Sequence, residues 1–240
     1  MTVVALRLAG PMQSWGSGSR FVRRSSEREP TKSGVLGLVA AAKGIRRTDS
    51  LEEILDLRFG VRVDQPGRLM RDFQTAQRPK TNRDGSVSWT SMPLSHRYYL
   101  SDAVYVAVLE GESALVEGID AALRRPEFPL YLGRRSCPPA GPVALGVFDG
   151  DLGTALASIP WQAGSREQRR HRERSVRVAT ICDAPVGVAG AEMVRDEPVS
   201  FDPNRRQHGW RPITRDVVEL PNPHGVVDTV EHDPMSALGG

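Results

Sequence analysis

Residues 30–44, PTKSGVLGLVAAAKG, are the stretch that most limits how this chain can fold. Val35, Leu38, Val39 and Ala42 recur at helical spacing, and Leu36 and Ala40 make the other side nearly as apolar. The spacing predicts a well-buried helix, capped by Thr31 or Ser33 and stopped at Gly44. A helix N-terminus offers free backbone N–H groups and partial positive charge, and Lys32 adds a full one. An anion, a phosphate among the candidates, would sit there. The alternative is a capped core helix whose Lys32 meets only water.

The flanking sequence predicts strands. Residues 2–9 alternate, with Val4, Leu6 and Leu8 on one face and Arg7 on the less buried other. The loop 10–20, rich in Gly and Ser, holds Trp15, either a stacking surface for a base or a lid over the core. Residues 20–29 carry Arg20, Arg23, Arg24 and Arg28 and read as a mobile charged loop. A short helix begins near Ser50, where Ser50 and Glu53 have capping-box spacing. Residues 58–64 alternate again, with Phe59, Val61 and Val63 inward and Arg58, Gly60 and Arg62 outward. Residues 69–75 can pair back after the Pro66–Gly67 turn.

Residues 78–97 are polar and basic, with Arg78, Lys80, Arg83, His96 and Arg97 around a possible Asp84–Gly85 turn. They predict a protruding hairpin that needs a partner, a polyanion by its charge; a solvated loop is the alternative. An apolar strand (102–109), a helix (112–125), a loop with Arg134 and Arg135, and a strand (142–148) follow.

The order is βαββαβ with an inserted arm. The expected fold is therefore α+β, ferredoxin-like of the RRM type, over residues 1–148, with a hairpin thumb at about 78–98. The aromatic RRM signature is absent from the third strand, so loops and the arm, not an open sheet, are expected to hold any RNA. A small β-rich part is expected over 149–220. Within it, residues 166–174 are dense in charge, and Arg205 and Arg206 lie on a basic edge. From Pro221 the chain loses periodicity, and a disordered tail is expected.

The five histidines show no metal-ligand spacing, and no P-loop, nucleophile elbow or dinucleotide fingerprint is present, so neither metal nor cofactor is expected. Cys137 and Cys182 lie far apart, and neither an apolar run long enough to span a bilayer nor a secretory signal is visible. A cytoplasmic protein is the default. The basic residues are strongly biased to Arg, which favours planar phosphate partners, although codon composition would produce the same bias. Metal-free RNA cleavage needs a general base, an acid and a cation near a 2′-hydroxyl; His96, Tyr98, Tyr99 and Lys80 are of the right types. A binding surface is the more economical reading of a basic arm with one histidine.

Three long motifs, LRLAGPMQSWG (6–16), PTKSGVLGL (30–38) and YLGRRSCP (131–138), together with weaker similarity at LMRDFQT (69–75) and RDEP (195–198), resemble the Cas5 family in its type I-E CRISPR Cascade form. The similarity spans residues 1–221. The resemblance implies a structural RNA-binding subunit in antiviral defence, a cap on the 5′ handle of the crRNA. It also implies contacts with the CasC backbone subunit and the large CasA subunit, and with target DNA only through the complex. Related type I-C proteins are ribonucleases, which keeps a metal-independent endoribonuclease as the alternative. Carried onto this chain, Gln13, Ser14, Trp15, Gly16, Lys32 and Ser33 would approach the handle, the arm with Arg78, Lys80, Arg83, His96 and Arg97 would pack over the first guide nucleotides and against CasC, and Arg71 would be a further RNA contact. Arg20, Arg134, Arg135, Arg205 and Arg206 are further candidate RNA contacts; an internal carboxylate is the alternative partner of Arg134 and Arg135. Phe73 receives no role. Residues 166–174 have no counterpart in the family, and the tail extends past the resemblance.

Overall fold

A computed structural model describes residues 1–16 and 23–226 of the chain. Thr2–Ala9 forms β1, followed by the short strands Met12–Gln13 (β2) and Arg23–Arg24 (β3). Lys32–Ala42 is α1, Glu52–Leu55 is α2 and Arg58–Gln65 is β4. Arg68–Gln74 (β5), Gln77–Thr81 (β6), Val87–Ser91 (β7) and Ser95–Ser101 (β8) build an arm. Val104–Gly111 (β9), Ser113–Arg124 (α3) and Ala144–Asp149 (β10) come next. Leu152–Ser158 (α4), Ser165–Arg170 (α5), Ser175–Asp183 (β11), Glu192–Ser200 (β12) and Gln207–Pro221 (β13) close the chain.

The main sheet is seven-stranded and antiparallel throughout, in the order β10-β1-β9-β4-β11-β13-β12. The C-terminal strands therefore continue the first sheet rather than standing beside it: Thr180–Cys182 of β11 pair with Gly60–Arg62 of β4. Two layers cover this sheet. Val4, Leu6, Leu8, Phe59 and Leu109 face α1 and α3, whose Val35, Leu36, Val39, Val116 and Ile119 complete the larger core. Val3, Ala5, Val106 and Val108 face α4, whose Leu152, Ala155, Leu156 and Ile159 recur at helical spacing.

That second layer corrects the expectation that Arg62 points outward. Arg62 is 0 % exposed. Its Nε and Nη2 hold Asp64 in a bidentate pair at 2.6 and 2.9 Å, and its remaining N–H groups donate to the carbonyls of Leu156, Ile159 and Pro160 at the end of α4. A guanidinium thus caps the helix C-terminus, where carbonyls otherwise lack donors. The face opposite the main core is a second core, and Arg62 binds its helix to the sheet.

Beyond Gly67 the chain leaves the body as the arm. Its proximal half pairs β5 with β8 from Arg68↔Ser101 to Gln74↔Ser95, and its distal half pairs β6 with β7. The Asp84–Gly85 turn forms the tip, where Asp84 accepts from the Ser86 N–H at 2.9 Å. The hairpin is longer than the sequence suggests, because β5 and the C-terminal half of β8 belong to it.

Two smaller expectations change. Ser50 and Glu53 form no capping box: Leu51 occupies the N-cap of α2 without a side-chain bond, and Glu53 pairs with Lys43 instead. The chain past Pro221 is not yet tail, because Asn222 is buried and Val226 donates to the Arg172 carbonyl at 2.9 Å. Residues 227–240, where the rest of the expected tail falls, lie outside the described residues.

Replacing Arg62 by Ala should lower the unfolding free energy by about 3–5 kcal/mol, since it strands the buried Asp64 carboxylate and three carbonyls. Urea denaturation should show a fall in midpoint without a change in slope; a loss below about 1 kcal/mol would contradict this role for Arg62.

Candidate nucleic-acid interface

The N-terminus of α1 is already occupied by the protein itself. Thr31 caps it, its hydroxyl accepting from the Gly34 N–H at 3.2 Å. The Lys32 backbone N–H donates to Asp196 at 2.8 Å. The Lys32 ammonium reaches Asp183 at 3.1 Å and Glu197 at 2.9 Å. Arg211 forks onto Asp196 at 2.6 and 2.9 Å, also bonds Asp183, and lies over the Phe59 ring. Burial raises the Glu197 carboxyl above its usual range although Lys32 pulls it down, so desolvation outweighs the pairing. The expected anion is thus the carboxylate of Asp196, and Lys32 and Ser33, both buried, are not offered to a phosphate from outside. Ser33 Oγ has no hydrogen-bond partner among the described residues.

The loop after β1 is likewise internal. Gln13 Nε2 donates to the carbonyls of Leu8 at 3.0 Å and Ala103 at 2.8 Å, while its Oε1 accepts from Trp15 Nε1 at 3.1 Å. Ser14 donates through its hydroxyl to the Tyr98 carbonyl and through its backbone to Leu132. Trp15 is 0 % exposed, and Gly34 lies so near its ring that a Cβ would stand 2.8 Å from Cε3. Gly133 has φ +86°, and a Cβ there would overlap the Ser14 carbonyl. Residues 10–16, 31–34 and 131–138, distant in sequence, thus interlock around Trp15. Gln13, Ser14 and Trp15 build that junction instead of presenting side chains to a ligand; Gly16 is exposed beside it.

Several basic residues gather at the root of the arm. Arg23 and Arg24, expected in a mobile loop, form β3 and pair in parallel with His96 and Arg97 of β8. Arg134 donates to the carbonyls of Tyr98 at 3.1 Å and Arg24 at 2.8 Å, and its guanidinium lies 4.9 Å from the Tyr99 ring centroid. Its partners are carbonyls and a ring rather than a carboxylate, so its charge is not neutralised there. Arg135, next in line, is exposed. His96 Nδ1 and Arg97 Nε are buried without a partner among the described residues, and such atoms call for one. The register sets Arg71 opposite Tyr98 and Phe73 opposite His96, on one face of the proximal arm. Arg78, Lys80 and Arg83 are exposed farther out.

Other predicted contacts lie elsewhere. Arg205 and Arg206 lie on the surface in the loop between β12 and β13, which runs along α1: Phe201 faces Gly37, and partial desolvation, with the like charge of Arg47 second, lowers the pKa of Arg206. Arg20 lies outside the described residues. The sequence reading missed the partnership of Asp183, Asp196, Glu197 and Arg211, for which the RDEP stretch was the only sign. It also missed Arg24 and Tyr99, whose roles arise from pairing across the arm.

The profile of the CRISPR-associated protein family Cas5 matches residues 3–214. Over 172 residues the chain is 36 % identical to the CRISPR system Cascade subunit CasD of Escherichia coli strain K12, covering 66 % of this chain and 73 % of the relative. A chain of a solved CRISPR RNA-guided surveillance complex superposes with a TM-score of 0.74 at 30 % identity, over 97 % of this chain and 96 % of that one. The crystal structure of a Cas protein gives 0.69 at 35 % identity, over 93 % and 97 %. The motifs that interlock around Trp15 and the extent of these matches agree: the chain belongs to the Cas5 family of CRISPR-associated proteins.

Proposed function

We propose that this chain is the RNA-binding cap of a type I-E Cascade complex, holding the 5′ handle of the crRNA and joining the CasC backbone to the large CasA subunit. In this reading the first part is an RRM-type, ferredoxin-like unit acting in the cytoplasm, and target DNA is met through the complex. The observation that carries it is the basic root of the arm, where Arg134 and Arg135 stand beside the unsatisfied His96 and Arg97. The order β10-β1-β9-β4 with α1 and α3 on one face supports the RRM reading. Because α4 closes the other face, affinity comes from loops and arm, with phosphate contacts supplying strength and handle shape supplying selectivity.

We read the chain as a binder rather than a nuclease. His96 and Tyr98 share one face of the proximal arm with Arg71, but Lys80, the cation expected to assist them, pairs opposite Ser88 in the distal half. Repeat RNA, end-labelled and incubated with the protein in chelator, should stay intact on a denaturing gel and shift on a native gel only when it carries the handle. A discrete cut, lost in His96→Ala or Tyr98→Phe, would make the chain the processing enzyme.

Two substitutions separate folding from binding. Lys32→Ala breaks the buried network and should cost about 3–5 kcal/mol of stability. Arg135→Gln should change stability by no more than about 0.5 kcal/mol yet weaken handle binding, measured by urea melts beside gel shifts. Together, Arg78→Gln, Lys80→Gln and Arg83→Gln should reduce the salt slope of RNA binding by about 2, at about 0.7 per single-strand phosphate contact.

A further inference from the structure

Residues 165–174 stand apart from everything above. Arg166, Arg169, Arg170, Arg172 and Arg174 are all exposed, against Glu167 and Glu173. That excess of three positive charges equals the formal net charge of the whole chain. Arg166, Arg169 and Arg170 occupy positions i, i+3 and i+4 of α5 and share one side of it. Arg172 and Arg174 follow, two residues apart, on the bend that leads into β11. Only Arg170 has an ion-pair partner among the described residues, Glu167 at 3.9 Å.

The segment is held in place. Asn222, buried at 7 % exposure, donates through Nδ2 to the carbonyls of Gln168 at 3.1 Å, His171 at 2.7 Å and Glu173 at 3.1 Å. The His171 ring meets Trp161 edge-on at 5.5 Å. Trp161 belongs to a small core with Val176, Val178 and Leu220, and its ring N–H donates to the Asp64 carbonyl at 2.9 Å. Five arginines are therefore mounted on fixed backbone, so less ordering entropy is lost when they bind. The Trp161 core beneath them uses Val176 and Val178, on the face of β11 that also carries Cys182 against the α4 core, while Trp15, α1 and Leu132 belong to the core on the other side.

We propose that this row is a second, sequence-blind nucleic-acid surface that takes the phosphate backbone of double-stranded DNA. Guanidinium forks match phosphate oxygens. No large apolar side chain between residues 149 and 185 is exposed, and Val226, bonded to the Arg172 carbonyl, is a single exposed valine beside the row, so the row lacks the broad apolar centre of a protein interface. The exposed ring within residues 165–174, His171, is held edge-on against Trp161, so the row offers no series of faces on which successive single-stranded bases could stack, which favours a duplex. Affinity from charge alone is weak, in the range of about 10⁻⁴ to 10⁻⁶ M at physiological salt. It would supplement specific binding rather than replace it, and it does not depend on the handle reading.

The test uses the full chain within its complex and a labelled random-sequence 30-base-pair duplex, with affinity followed against salt. Arg169→Gln, Arg170→Gln and Arg172→Gln together should lower the slope of log K on log salt by about 2.7, at about 0.9 per duplex phosphate contact, and weaken binding at low salt at least tenfold. The three Arg→Lys replacements keep the charge and should keep the slope. Arg166→Gln alone should remove about 0.9, which gives the same reading should the triple variant melt early. An unchanged slope overturns the proposal. So does a triple variant that keeps duplex binding but loses its place in the complex, because the row would then be a protein contact.

Discussion

The first turn of α1 is closed by a carboxylate from the far end of the chain. Asp196, on edge strand β12, receives the Lys32 N–H and the fork of Arg211. A buried charge is tolerable only when its hydrogen-bonding capacity is met, and here it is met from both sides. Asp183 is treated alike, holding Lys32, Arg211 and the Phe59 N–H. The network therefore fixes three things at once: the seat of α1, the register of β12 on β13, and the junction of β11 with β4. Apolar contacts alone would permit α1 to slide along the sheet, because its sides are almost equally greasy. Directional charge pairs forbid it.

A second constraint follows from covering both faces of the sheet. With α1 and α3 on one side and α4 on the other, β1, β9 and β4 have no open face, whereas the C-terminal strands keep Met193, Val199, Trp210 and Val217 exposed. A ligand of the first half of the sheet must meet its edges, its loops or its arm. The junction around Trp15 makes this workable. It holds the root of the arm through Ser14 on the Tyr98 carbonyl and through Arg134 on the same carbonyl, so a long ribbon is aimed by a rigid base.

How far the sequence could lead depended on whether a residue's role was local. The period of residues 30–44 revealed α1, and its cap was narrowed to Thr31 or Ser33, of which Thr31 serves, because both are local properties of the helix and its first turn. Alternation revealed β1, β4 and β9. It could not reveal the fate of Arg62, since the pattern is the same whether the second face meets water or another helix, and α4 was not recognised. Trp15 was legible as a base platform or a lid over the core, and the second holds, whereas the burial of Lys32 was not legible: the deciding partners come from residues 34, 183 and 197, and long-range pairing leaves no local trace. The arm was legible because a polar run that cannot bury itself has few options. Its full length was not, since β5 read as an ordinary strand and residues 99–101 were given to no element.

The arm raises a question of stability that its own contacts do not answer. A two-stranded ribbon is marginal in water unless one face is covered. Here the register gathers Pro79, Trp89 and Val87 on one face and Arg78, Lys80, Ser88 and Thr90 on the other. Trp89 is 64 % exposed and Val87 60 %. The distal hairpin thus carries an uncovered apolar face back to back with a basic one. If the polar face alone met a partner, the exposed tryptophan would be a solubility burden without purpose. The two faces are better explained together, by an arm wedged between a nucleic-acid backbone and a protein surface and ordered by both.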